Sequence, residues 1–225
     1  DFIAHNNLGN PQKETFRRFL FDAELMDRKD KCVTKFALKL KEIGWDSDVA
    51  WGLILVNLAH NNSQIHWYVQ NLPVEETFTR KAVEETLKTI SVSDRNANEI
   101  TRAFKRLCET PLGTALNFGR TDSAGKILNT LTRTKAHISD GRVVLYALYK
   151  FAEKFGNGAR QFTLTRLMNF SDSELSPTQL FGLSRTDMER ILNGLSINYP
   201  RFINVSFTHD LEKISLSEGT SAKDV

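Results

Sequence analysis

Apolar side chains return at three- and four-residue steps through residues 140–155. Val144, Leu145, Leu148, Phe151, Ala152 and Phe155 share one face, and Lys150, Glu153 and Lys154 share the other. The spacing predicts an amphipathic helix. Asp140 stands where the first free backbone N–H groups need an acceptor, and Gly156 or Gly158 is placed to end the helix in a left-handed turn. Phe162-Thr163-Leu164 then reads as a short strand whose Thr163 caps a turn of helix over 164–169. Ser176-Pro177 puts an N-cap before a proline that has no N–H to lose, opening helix over 178–181. Ser184-Arg-Thr-Asp187 is a capping box ahead of a helix over 188–196, with Met188, Ile191, Leu192 and Leu195 on its inner face. Ile203, Val205 and Phe207 alternate with polar residues, His209-Asp210 marks a turn, and Ile214 and Leu216 alternate on the return. Helix, short strand, helix, helix and hairpin is the order of a winged helix-turn-helix.

The first half of the chain is read in the same way. Thr15 is assigned as the cap of a helix over 16–25, and Thr34 as the cap of one over 35–43 that Gly44 stops. Residues 49–60 are apolar nearly all round, which predicts a helix buried between neighbours. Ile65, Trp67 and Val69 alternate with His66 and Tyr68, which predicts a strand. Thr79 caps a helix over 80–90. Ser93 caps another running to about 109, with Ile100, Ala103, Phe104 and Leu107 inward. Residues 119–139 have weak periodicity and several turn formers, and predict a mobile basic linker at a domain boundary. A faint echo pairs Ser47, Trp51, Ile54, Leu55 and Leu58 with Ser184, Met188, Ile191, Leu192 and Leu195. The expected architecture is therefore mainly α, with tandem winged helix-turn-helix-like modules and small β-hairpin wings. Its parts are an N-terminal region over 1–118, the linker over 119–139, a C-terminal module over 140–217 and a polar tail over 218–225.

Composition narrows the functional classes only a little. A chain of 225 residues can bury one large core or about two to three small ones. No apolar run approaches the roughly 20 residues that span a bilayer, and Cys32 and Cys108 lie far apart without metal-ligand spacing, so a cytoplasmic protein is expected. The first residue is not methionine, which points to a processed chain or a piece of a longer one. A net charge of +3 permits nucleic-acid binding without requiring it. The best cationic candidates are Arg95, Arg102, Lys105 and Arg106, outward on one helix though interrupted by Glu99 and Glu109, with Lys126 and Arg133 on the linker. Arg185, Thr186, Arg190 and Asn193 are residue types able to meet base edges from the helix after Ser184, where Asp187 and Glu189 offset the charge. Charged outer faces are also common on helices that bind nothing.

Catalytic signatures are missing from the sequence. The run from Gly119 to Ile127 has one residue too many between Gly119 and Gly125 for a phosphate loop, and Ile127 stands where Ser or Thr would bind magnesium. His60 and His66 have no third ligand nearby, and Ser206, His209 and Asp210 are too close along the chain to form a triad. No enzyme activity, cofactor or metal is expected.

Several blocks carry a resemblance. Ala50-Trp-Gly-Leu-Ile-Leu-Val-Asn-Leu58, Thr110-Pro-Leu-Gly113 with Phe118-Gly119, Val143-Val-Leu-Tyr-Ala-Leu-Tyr-Lys-Phe-Ala-Glu153, residues 176–183 and Phe207-Thr-His-Asp-Leu-Glu-Lys-Ile214 resemble a helical region of large bacterial proteins. Those are phosphoadenosine-phosphosulfate-reductase-like proteins and their neighbours in DNA-modification and phage-defence gene clusters. The reductase-like part would bring a nucleotide-binding loop that this sequence lacks. The resemblance thus implies a non-catalytic module that binds or positions DNA in a bacterial modification or defence system. The alternative is a scaffold that docks a partner enzyme of the same cluster, or the rest of a longer chain, using Tyr146, Tyr149 and Tyr199.

Overall fold

Helix α3 (Asp48–Asn61) has too little polar surface to face water on any side, and the rest of the N-terminal half closes around it. In a computed structural model describing residues 9–125, 127–169, 174–208 and 211–225, α1 (Asn10–Asp22), α2 (Lys35–Ile43) and α4 (Ser63–Asn71) all pack on α3. Ser47 caps α3 by accepting from the Val49 N–H at 3.2 Å, and Thr34 caps α2 through the Ala37 N–H at 3.1 Å. The fourth wall of α3 is α8 (Arg142–Phe155), the helix of the apolar 140–155 pattern. Gly52 makes this crossing close: a Cβ there would lie 2.7 Å from the Val143 Cγ1. Inside the crossing the one polar side chain of α3 that is fully buried, Asn57, accepts from the Tyr146 hydroxyl at 2.8 Å and donates to the Ala23 carbonyl at 3.2 Å. Its amide is satisfied on both sides, as a buried polar group must be.

Around this helical centre a strand–helix–helix–hairpin unit occurs twice. The first contains β1 (Thr77–Thr79), α5 (Arg80–Thr89), α6 (Asp94–Cys108), the short α7 (Pro111–Thr114), β2 (Gly119–Ala124) and β3 (Ile127–Arg133). The second contains β4 (Gln161–Thr163), the one-turn helices α9 (Leu164–Met168) and α10 (Pro177–Phe181), α11 (Arg185–Asn198), β5 (Ile203–Thr208) and β6 (Leu211–Leu216). Among the described residues each unit forms a three-stranded antiparallel sheet, ordered β1-β3-β2 and β4-β6-β5, so the last strand is central both times. The long helices also agree position by position. Ser93 and Ser184 are the caps, Asn96 and Asp187 supply the capped N–H, and Ala97, Thr101 and Phe104 point inward where Met188, Leu192 and Leu195 do.

These facts correct the expected fold class. The chain is mixed α/β, 55% helix and 16% strand, and not a mainly α tandem of winged helix-turn-helix-like modules. The short strand expected over 162–164 joins the C-terminal hairpin by pairing with β6, and the N-terminal sheet of β1, β3 and β2 forms where no hairpin is expected. Residues 65–69 are helical, because Asn62 caps α4 by accepting from the Gln64 and Ile65 N–H groups, and Ile65, Tyr68 and Val69 face inward at helical spacing. The expected linker is β2 and β3. The echo belongs between Ser93 and Ser184, since the helix after Ser47 has no equivalent in the second unit. The helix expected over 16–25 starts at Asn10, and Thr15 lies within it, donating to the Pro11 carbonyl at 2.9 Å. Gly156 ends α8 with a right-handed φ of −80°; Gly158, at +83°, makes the left-handed turn. The polar tail is also packed: Ala222, in a 3₁₀ turn over Ala222–Asp224, is buried and donates its N–H to the Glu153 Oε1 at 2.8 Å. His209 and Asp210 lie outside the described residues.

Two expected outcomes follow from the burial of α8 and of the end of α3. Leu148 is fully buried on α8, and Leu148→Ala should destabilise the protein by about 2–5 kcal/mol in urea unfolding. His60, at the end of α3 with its ring 5.7 Å from that of Phe155, is held neutral by burial and then by the charges of Lys154 and Lys150, down to a pKa of about 3. The unfolded chain takes up this proton below about 6.5 and the folded chain refuses it, so stability falls as pH drops from 6.5 towards 3. His60→Phe should remove on the order of 1–2 kcal/mol of the loss between pH 7.5 and 5, read from urea midpoints.

Candidate nucleic-acid interface

Helix α6 presents its cations because its other face is occupied. Ala97, Thr101 and Phe104 are buried, with the Thr101 hydroxyl returned to the Ala97 carbonyl at 2.7 Å and the Phe104 ring edge-on to Tyr68 at 5.1 Å. Arg95, Glu99, Arg102 and Arg106 then recur at helical spacing along the outer face, all exposed, with Lys105 half-buried beside them. Glu99 lies 3.7 Å from Arg102 and 3.9 Å from Arg106. Such exposed pairs are worth little and are screened by salt, so both guanidinium groups remain available to a phosphate.

Helix α11 is built alike with different chemistry. Ser184 and Asp187 form a reciprocal box at 3.2 and 3.1 Å, and Lys135 holds the same Asp187 carboxylate at 2.7 Å. The Lys135 hydrogen bond, followed by that of Ser184, lowers the Asp187 carboxyl to about 2. With Met188, Leu192 and Leu195 inward, the outer stripe is Thr186, Arg190, Asn193 and Ile197, the last 79% exposed. These four occupy the positions of Arg95, Glu99, Arg102 and Arg106 on α6. Arg185 does not join them. Its guanidinium is tied to Glu212 on β6 at 2.6 Å, to the Thr165 hydroxyl at 2.9 Å and to Glu189 at 3.6 Å. Arg185, with Thr165, keeps the Glu212 carboxyl near 2. This arginine braces the helix against its sheet.

One candidate is not described and another, besides Arg185, is withdrawn from the interface. Lys126 lies outside the described residues. Arg133, expected among the DNA-contacting cations, is 3% exposed. At the end of β3 it donates through Nε to the Leu72 carbonyl at 2.7 Å and through Nη1 to those of Gln179 and Leu180 at 2.9 and 3.3 Å. Burial pushes this guanidinium down to about 10, still charged at neutral pH. Two exposed cations lie on the sheets: Arg120 on β2, which the sequence offered only as part of the basic linker, and Lys213 on β6, which it did not single out. The alternation around Ile214 was the signal for Lys213, and the linker reading hid the strand that carries Arg120. Tyr146 and Tyr149, proposed as exposed aromatics, are buried, with hydroxyls on Asn57 and on the Phe202 carbonyl.

Among the described residues no group of three or more His, Cys, Asp or Glu side chains converges on a point where a metal could sit. The Cys108 thiol is pushed up to about 12 by burial, so it is a poor nucleophile at neutral pH. Among the described residues no helix is long and apolar enough to cross a membrane.

No protein-family model matches the chain, and no curated protein matches it in sequence. Among solved structures, the magnesium ion-bound SspB crystal structure is similar to it over 96% of this chain and 73% of that one, with a TM-score of 0.69 and 14% sequence identity. At that identity the likeness is one of fold.

Arg133 supplies the outcome to be measured here. Arg133→Met keeps the aliphatic length and removes every donor, leaving three buried carbonyls bare at about 1–3 kcal/mol each. Urea unfolding should show a loss of at least that of a single carbonyl, and DNA affinity per folded molecule should be unchanged.

Proposed function

We propose that this chain is a non-catalytic module that binds or positions DNA. The observation carrying the reading is the repeated stripe: two helices at equivalent places in two equivalent units turn the same four positions outward. On α6 the stripe is cationic and suits phosphates, a sequence-independent contact. On α11 Arg190 and Asn193 have the forked and amide groups that pair with base edges. The setting, a bacterial DNA-modification or phage-defence system, rests on the sequence resemblance alone. The magnesium ion of the SspB structure is not carried over to this chain, whose described acids do not converge.

A second reading, docking of a partner protein on α11, is favoured by Ile197. A large aliphatic side chain standing in water at the end of a stripe suits a protein surface better than a phosphate backbone.

Equilibrium binding to labelled duplexes at several salt concentrations tests the proposal. Replacing Arg102, Lys105 and Arg106 together by Ala should weaken every duplex alike and flatten the dependence of log affinity on log salt by about 0.9 per lost phosphate contact. Replacing Arg190 and Asn193 by Ala should instead cost about 1–3 kcal/mol on a preferred sequence and less on a random one. Undetectable wild-type binding at low ionic strength, or binding that the triple replacement leaves intact, transfers the reading to the protein partner.

A further inference from the structure

Helix α11 carries a glycine that its own packing does not call for. Gly194 stands well inside the helix, where glycine is the poorest helix former after proline. Alone among the twelve glycines of the chain it has neither a left-handed φ nor any atom within 4 Å of where a Cβ would stand. Gly52, by contrast, is required by the nearness of Val143. Alanine at 194 would fit the fold and favour the helix, so the missing side chain points to a close approach from outside. The neighbours of Gly194 on the helix surface are Arg190, four residues before, and Ile197, three after, both exposed. These three form one column, with Asn193 at its side. Arg185 is tied to Glu212 and Glu189, whereas Arg190 and Asn193 make no side-chain hydrogen bond or ion pair among the described residues.

The column has the dimensions of a duplex groove. With a rise of about 1.5 Å per residue, Arg190 and Ile197 stand roughly 10 Å apart along the axis, about three base-pair steps of ~3.4 Å. The major groove is about 12 Å wide and a helix with its side chains about 10–12 Å across, so one missing side chain lets the backbone seat deeper. At that depth the Arg190 fork and the Asn193 amide meet base edges. Ile197 meets the apolar group those edges offer, the 5-methyl of a pyrimidine. A phosphate backbone would leave Ile197 in water. An apolar protein face laid across Gly194 would cover Ile197 but strip water from Arg190 and Asn193 without replacing it, whereas base edges satisfy both. The nearby acids are engaged elsewhere: Glu189 lies 3.6 Å from Arg185, and Asp187 is held by Lys135 at 2.7 Å.

We propose that Arg190, Gly194 and Ile197, with Asn193, form a site for the 5-methyl group of a pyrimidine in the major groove of duplex DNA, an inference that rests on the DNA-binding reading above. That methyl belongs to thymine or to 5-methylcytosine, and the test separates the two. Wild type selects a preferred duplex from a randomised pool, which is resynthesised with uracil for each thymine in turn and with 5-methylcytosine for each cytosine in turn. At one position the methyl should strengthen binding roughly fourfold, as burial of one such group does. Loss on changing a thymine assigns the site to thymine, and gain on changing a cytosine assigns it to 5-methylcytosine. Ile197→Ala should abolish the difference. Gly194→Ala should be at least as stable as wild type in urea, while Gly194→Leu should weaken the selected duplex by roughly tenfold or more, as loss of one good base contact does. Binding without sequence preference, selective binding indifferent to every methyl, methyl sensitivity that survives Ile197→Ala, or a destabilised Gly194→Ala would each overturn the site and leave DNA binding standing. No duplex binding by wild type overturns the DNA-binding reading itself, and the site with it, in favour of a protein partner on α11.

Discussion

The buried guanidinium of Arg133 is the contact on which the arrangement of the two units depends. Among the described residues no carboxylate holds it. Its acceptors are carbonyls at the C-terminal ends of two helices, Leu72 just after α4 and Gln179 and Leu180 in α10. Those carbonyls carry the negative end of each helix dipole and have no partner within the helix, so one cation satisfies groups that both helices would otherwise leave bare. Because α4 belongs to the N-terminal half and α10 to the second unit, a single side chain at the end of β3 fixes both against the first sheet. The chain that follows extends the seam. The Ala136 N–H donates to the Phe181 carbonyl at 2.9 Å, and Lys135 reaches the cap of α11.

The same seam explains why α6 and α11 are both presented outward. Each is held from behind, by the Phe104 cluster in one case and by Met188, Leu192 and the Arg185–Glu212 brace in the other. Helices fixed on one face with a bare opposite face suit a binding surface that is formed before its ligand arrives, which lowers the ordering cost of association.

Much of the helical frame was legible because capping is local chemistry. Thr34, Ser47, Thr79, Ser93, Thr163, Ser176 and Ser184 each cap the helix that the sequence assigns to them. The errors lie where local pattern and tertiary context disagree. Ile65, Trp67 and Val69 alternate as a strand would, yet the inward set is Ile65, Tyr68 and Val69, and Asn62 was not recognised as a cap. In β2 and β3 a bulge between Asp122 and Ser123 breaks the alternation, and threonines fill positions where larger apolar groups would have marked a strand. Burial of Arg133 had no local signal, because its partners are distant in sequence. The cations of α6 and the stripe of α11 could be read from helical period alone, whereas the engagement of Arg185 by Glu212 needed the sheet.

The positional agreement of α6 and α11 also has a consequence for descent and design. The residues that hold each helix, Ser93, Ala97, Thr101 and Phe104 or Ser184, Met188, Leu192 and Leu195, share none of their positions with the outward stripe. Selection can therefore rewrite the stripe while leaving the packing alone, since exposed substitutions of this kind usually change stability by no more than about 0.5 kcal/mol. The inward sets keep one spacing with different side chains, Ala97, Thr101 and Phe104 against Met188, Leu192 and Leu195, so what the two units share is the geometry that turns a stripe outward, cationic on one helix and mixed polar and aliphatic on the other.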